Sequence, residues 1–169
     1  MKDVTELNEN EKAWERILRT NAALIRAREV ELARAGISLT QAGVLYFLKS
    51  AKEPLTAARL ARLLHKEPHS VSGWLKRMEA QGLVKRTKNP KRKNQVLASV
   101  TAKGEKAYKR QLSRKAARNI TSCLSKKELE MANVICDKLY NRAIELLRDL
   151  EPYPYGPQID QESHLHKIV

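Results

Sequence analysis

The most constraining stretch of the chain is residues 70–104, SVSGWLKRMEAQGLVKRTKNPKRKNQVLASVTAKG. It begins on a helical pattern: Val71, Leu75 and Met78 share one face, with Trp74 at its edge. Gly82 stops that helix, because glycine takes the left-handed backbone of a helix end without a Cβ clash. Leu83 then supplies the closing apolar contact. Two β-favouring segments, residues 83–87 and 95–101, flank a turn-rich basic loop at residues 88–94. Few architectures accept this order. The simplest is a helix with one free face and a short antiparallel hairpin against its end.

The residues before and after extend the pattern. Residues 9–35 read as a helix with Trp14, Ile17, Leu18, Ile25 and Leu32 near helical spacing, ended by Gly36. Ser38 and Gln41 have capping-box spacing, so a second helix starts there, with Val44, Leu45 and Leu48 inward; Glu53-Pro54 breaks it. Thr56 caps a short third helix whose inner face is Ala57, Leu60, Ala61 and Leu64. A turn at residues 65–67 leads to a fourth helix, with Pro68 in its first turn and Gln81 at its end. Thr101 caps a long fifth helix from about Ala102, with Gly104 in its first turn. The expected fold is mainly α with a small β-hairpin wing, a winged helix-turn-helix at about 38–101 between dimerisation helices at about 9–35 and 102–150.

Charge points to the partner. The formal net charge is +14, and residues 76–118 hold 15 Lys/Arg against 2 Asp/Glu. A merely soluble surface would intersperse the signs; a concentrated basic region suits a polyanion, nucleic acid before an acidic membrane surface. On the fourth helix, His69, Gly73, Lys76 and Ala80 lie opposite the apolar face, flanked by Ser70, Ser72 and Arg77. A major groove about 12 Å wide admits one such helix, and its N-terminal side chains reach base edges. His69, Ser70 and Ser72 are therefore candidate base readers, while Lys76 and Arg77 suit phosphate. Ser70 and Ser72 could equally satisfy local backbone groups, and Trp74 suits the core. In the loop, Lys88, Lys91, Arg92 and Lys93 are candidates for a narrow minor groove.

The last helix, about residues 125–150, places Leu129, Ala132, Cys136, Leu139, Ala143, Leu146 and Leu150 at alternating spacings of three and four. That is an a/d seam, and it is expected to pair between subunits; on this seam Cys136 is expected to be a buried, inert thiol. Met131, Ile135, Ile144 and Leu147 widen the stripe. Residues 151–169, with Pro152, Pro154 and Pro157 among tyrosines, form a separate non-helical tail.

Two cysteines, Cys123 and Cys136, make no disulfide framework, and there is no long apolar run or leader pattern. A cytoplasmic protein without membrane contact is expected. His65, His69, His164 and His166 show no metal spacing with Cys or carboxylates beyond His164-x-His166, and no nucleophile motif or phosphate-cradling glycine loop occurs. No metal, cofactor or enzymatic activity is expected.

Leu39-Thr40-Gln41-Ala42-Gly43-Val44-Leu45, Leu60-Ala61, Val71-Ser72, Gly82-Leu83-Val84-Lys85-Arg86 and Val100-Thr101-Ala102-Lys103-Gly104 together resemble the MarR family of regulators. The resemblance covers about residues 10–150, so residues 1–150 are expected to be one MarR-like domain. It implies a homodimer formed through the terminal helices, double-stranded DNA with a near-palindromic operator as partner, and transcriptional control. The usual form is repression relieved by a small-molecule effector or by oxidation. Family ligands sit between the dimer helices and the DNA-binding part, which makes Trp14, Tyr46 and Tyr108 candidate lining residues, with core packing as their alternative role. Two family positions differ: an Asp-x-Arg wing pattern falls on Arg92 and Asn94, and a frequent helix arginine falls on Gly73. The alternative function is a non-specific architectural DNA-binding protein.

Overall fold

The structure, a computed structural model, describes residues 7–149 apart from Lys93. Leu150 and the tail lie outside the described residues. In chain order the elements are α1 (Glu9–Arg34), α2 (Leu39–Ser50), β1 (Leu55–Thr56), α3 (Ala57–Leu64), α4 (Pro68–Ala80), β2 (Val84–Lys88), β3 (Val96–Val100), α5 (Ala102–Gln111), α6 (Lys115–Thr121) and α7 (Lys126–Asp149).

Helix ends follow the local chemistry. Ser38 and Gln41 form a reciprocal capping box at the start of α2, and Asn8 and Glu11 form one at the start of α1. Gly36 (φ 74°) and Gly82 (φ 71°) both take the left-handed conformation. After each, the next amide reaches back into the last turn: Ile37 N–H donates to Leu32 O (3.1 Å) and Leu83 N–H to Met78 O (2.9 Å). Thr56 and Thr101 cap α3 and α5.

The sheet is antiparallel in the order β1-β3-β2, with Leu55 opposite Ala98 and Arg86 opposite Ala98 on the other side. The expected hairpin therefore gains a third strand. β1 is only two residues long, too short for an alternation pattern, so it carries no periodic signal. Leu32, Leu45, Leu60, Val44, Val71 and Val84 are the largest fully buried side chains, and the core they belong to is shared by α1–α5 and the sheet.

Gly104 explains the join between wing and α5. A methyl group built there would overlap the Leu83 carbonyl oxygen, so only glycine lets α5 lie against the strand. Thr101 completes the join: its hydroxyl donates to Gly82 O (2.6 Å) and accepts from Gly104 N–H (3.0 Å).

The expected long fifth helix is broken. α5 ends at Gln111, Arg114 takes a left-handed conformation (φ 41°), and α6 starts at Lys115. The break is held from α1. Glu31 accepts from Arg28 (2.6 Å), the Ser113 hydroxyl (3.0 Å) and the Lys115 amide (2.6 Å), while Arg28 also donates to Gln111 O (2.9 Å). Desolvation alone would raise the Glu31 carboxyl pKa. Hydrogen bonds from Arg28, Ser113 and the Ala116 and Lys115 amides outweigh it and bring the value from 4.5 to about 2. The buried Gln111 side chain donates to Ala42 O (3.2 Å), joining α5 to α2.

The long helices are otherwise open. α1 has one buried residue, Leu32, and its Trp14 is 60% exposed. On α7, Leu129, Cys136, Leu139, Ala143 and Leu146 of the expected seam are exposed, Ala132 is half-buried, and Ile144 is buried. Cys136 is thus an exposed thiol in the single chain, not a buried one; among the described residues nothing covers it. α7 meets the winged part where Tyr140 Oη lies 3.3 Å from Nε2 of His65, the left-handed residue ending α3.

Candidate nucleic-acid interface

The helix-turn-helix is α3, the turn at His65, and α4. Pro68 opens α4 at a position where a missing N–H costs nothing. Val71, Leu75 and Met78 are buried, and half-buried Trp74 packs against the same core. This anchoring turns the opposite side outward: His69, Lys76 and Arg77 are exposed, and Ser70, Ser72 and Gly73 are half-buried. Gly73 is not a packing requirement, because a Cβ there would meet only the Arg77 guanidinium, at 3.7 Å.

The wing is fixed at its base and at its tip. At the base, Glu79 of α4 accepts from the Arg86 amide (3.0 Å) and pairs with the Arg86 guanidinium (3.4 Å). Lys103 donates to Gln81 O (2.8 Å), placing a cation on the last carbonyls of α4. At the tip, the Asn89 amide bonds Gln95 O (2.8 Å), the two side chains join at 3.1 Å, and Asn89 Oδ1 accepts from the Lys91 amide (2.9 Å). Lys88, Lys91 and Arg92 are all exposed on this hairpin; Lys93 lies outside the described residues. A cleft of about 230 Å³ separates wing from helices, lined by Thr56, Ala57, Ser72, Arg86, Gln95 and Val96 among others. A second cleft, about 270 Å³, runs between the start of α2 and α4, past Gln41, Trp74 and Gln81.

The structure therefore sets α4 beside the wing, with Ser72 of α4 and Arg86, Gln95 and Val96 of the wing lining one cleft. Sequence reasoning missed Glu79, Arg86, Asn89 and Gln95, which orient the wing. Only Asn89-Pro90 carried a turn signal; Glu79 and Arg86 looked like ordinary surface charges. The candidate ligand residues Trp14, Tyr46 and Tyr108 lie on α1, α2 and α5, and neither cleft includes any of them. Cys123 is exposed, its Sγ 3.1 Å from Ile120 O. Among the described residues no group of three or more His, Cys, Asp or Glu could hold a metal ion. Among them, too, no helix is long and apolar enough to cross a membrane.

Comparison with known proteins gives this geometry relatives. Residues 35–93 match the MarR family model. The organohalide-sensing transcriptional regulator RdhR, solved with 2,4-dichlorophenol bound, is similar over 84% of this chain and 89% of its own, at 25% identity and a TM-score of 0.70. A cysteine-to-serine mutant of MarR from E. coli, complexed with operator DNA, is similar over 82% of this chain and 99% of its own, at 22% identity and a TM-score of 0.73. MepR from S. aureus, also solved with DNA, is similar over 81% and 99% at 18% identity, with a TM-score of 0.69. No curated protein matches the chain. With the family match centred on the helix-turn-helix and the shared fold reaching into the flanking helices, residues 35–93 carry a MarR-type helix-turn-helix, and the chain has the winged helix-turn-helix fold of these regulators.

Proposed function

We propose that this protein is a homodimeric, sequence-specific repressor that sets two copies of α4 in successive major grooves of a near-palindromic operator. The observation that carries the reading is the α4 face. Buried Val71, Leu75 and Met78 hold the helix, while His69, Ser70, Ser72, Lys76 and Arg77 face outward beside a basic wing. His69, Ser70 and Ser72, near the helix N-terminus, read base edges; Lys76 and Arg77 grip phosphate; Lys88, Lys91, Arg92 and Lys93 follow the minor groove. The solved complexes of MarR with operator DNA and of MepR with DNA support this mode.

The uncovered apolar faces of α1 and α7 support a second copy as their cover. Trp14, Ile17 and Leu18 on α1 and Leu129, Leu139 and Leu146 on α7 are exposed large apolar side chains repeating at helical spacing, the kind of surface that marks a protein–protein interface. Release by a small molecule is the proposed regulatory input, supported by the phenol-bound form of RdhR.

Selection of bound sites from random duplex DNA tests the proposal. A palindrome with half-sites about 10–10.5 bp apart is expected. Recovery of no enriched sequence overturns it in favour of architectural, non-specific binding. Affinity should also fall roughly 10³–10⁵-fold between 50 and 200 mM salt if about 6–10 phosphates are held.

A further inference from the structure

The α4 face and wing account for only part of the positive charge. Of the 15 Lys/Arg in residues 76–118, 7 come after the wing, from Lys103 to Arg118. Lys103 marks where this second group begins: it bonds Gln81 O, at the far end of α4 from His69. Twelve residues of helix separate those ends, about 18 Å. That is roughly two Debye lengths at physiological salt, so phosphates at the reading end of α4 are screened from these cations.

On α5 the cations form a stripe. Gly104, Ala107 and Gln111 are buried against the core, whereas Lys103, Lys106, Lys109 and Arg110 are all exposed on the other side of the helix. Arg114, also exposed, extends the stripe at the break before α6. Glu105 is the sole carboxylate of α5 and is committed to Lys49 of α2 (2.8 Å). Among the described residues, Lys106, Arg110 and Arg114 stand in no ion pair, and Lys109 feels Glu105 only at longer range than a salt bridge. A solvated surface normally alternates signs; an unneutralised row along one helix repels itself unless a polyanion lies on it.

We infer that the outer face of α5, with Arg114, is a second duplex-DNA contact that holds the phosphates flanking the operator, outside the part engaged by α4 and the wing. The inference rests on the operator-binding reading above. Duplex is favoured over single strands because no exposed aromatic is interleaved with these cations: Tyr108, the aromatic of α5, packs against the core, so a stacking platform is missing. The contact carries no base information. It lengthens the footprint and steepens the salt dependence.

The test uses the full chain and a selected operator placed centrally in duplexes of about 22 and about 50 bp, a choice set by two half-sites with and without further helical turns. The variant is Lys106→Gln, Lys109→Gln, Arg110→Gln and Arg114→Gln together, all exposed, with unchanged helix content as the fold control. The unmodified protein should bind the long duplex more tightly, with a steeper salt slope. The variant should match it on the short duplex and lose the length gain. Four lost phosphate contacts per protomer make the slope about 3.6 shallower for each protomer, over 100-fold in affinity between 50 and 200 mM salt. Equal affinity of the unmodified protein for both lengths overturns the inference while leaving operator binding intact. So does equal loss by the variant on both duplexes, or retention of the length gain, or loss confined to anionic vesicles or to bridging of a second duplex. Failure of the short duplex to outcompete random DNA would instead overturn the operator reading itself.

Discussion

The winged-helix part and the long terminal helices solve burial differently. In the first, α2–α5 and the sheet close on themselves: Leu45, Leu60, Val71 and Val84 are fully buried within one chain. In the second, α1 and α7 offer apolar residues every three or four positions, yet each has a single buried residue among those described. Both are amphipathic by the same physical rule. One is stabilised by its own chain; the other, on the proposed reading, is stabilised by a second copy and hence depends on concentration. The two parts join at Leu32, which α1 contributes to the winged-helix core, and at the Glu31 and His65–Tyr140 contacts.

The largest effect should come from breaking the open region. Leu139→Asp puts a charge at the centre of the exposed α7 face. Sedimentation should show a monomer with its winged part still folded, and loss of the second half-site should weaken operator binding roughly 10²–10⁴-fold. A variant that remained dimeric would place the interface elsewhere and break the comparison. Next comes the closed region. Gly104→Ala, which forces a methyl group onto the Leu83 carbonyl, should cost roughly 1–3 kcal/mol in urea unfolding, with the dimer dissociation constant unchanged.

Glu31 tests the joint between them. Its folded-state pKa is depressed to about 2, so its stabilising contribution is fully present above 4.5 and is lost as pH falls from there through about 2. Glu31→Gln should destabilise by about 1–3 kcal/mol at neutral pH and flatten the acid limb of stability between pH 4.5 and 2, read by urea midpoints across that range. An unaltered acid limb would mean that other carboxylates set it.

Legibility in the sequence follows the same division. Ser38, Gly36, Thr56, Gly82 and Thr101 act on their own neighbours, so a cap or a stop could be read directly. The α4 face was legible because its buried side follows from helical period alone. The break at Arg114 was not, because its cause is Glu31, more than eighty residues away. β1 and the Glu79–Arg86 clasp are likewise products of tertiary approach. For Cys136 the period places the thiol on the apolar face, but among the described residues nothing of its own chain covers it, and the expected cover is a second subunit's.

Smaller effects sharpen the site itself. Lys76→Ala and Arg92→Ala should each reduce the salt slope of DNA binding by about 1 and weaken all sequences alike. His69→Ala should relax preference at particular bases with little change in slope. If Lys76→Ala altered base preference instead, the assignment of readers to the first turn of α4 would fail.

Gly73→Ala gives the smallest change and separates fold from function at one atom. Within the chain a Cβ there meets only the Arg77 guanidinium at an ordinary 3.7 Å, and the backbone is helical. Alanine should therefore raise stability by up to about 1 kcal/mol through helix propensity alone. Gly73 lies between the proposed serine readers and Lys76, where a missing side chain would let the backbone approach a DNA groove. Calorimetry should show the higher melting temperature while operator affinity falls several-fold. A gain in stability with affinity unchanged would mean that the helix meets DNA along its Ser72 edge, and would rotate the reading face accordingly.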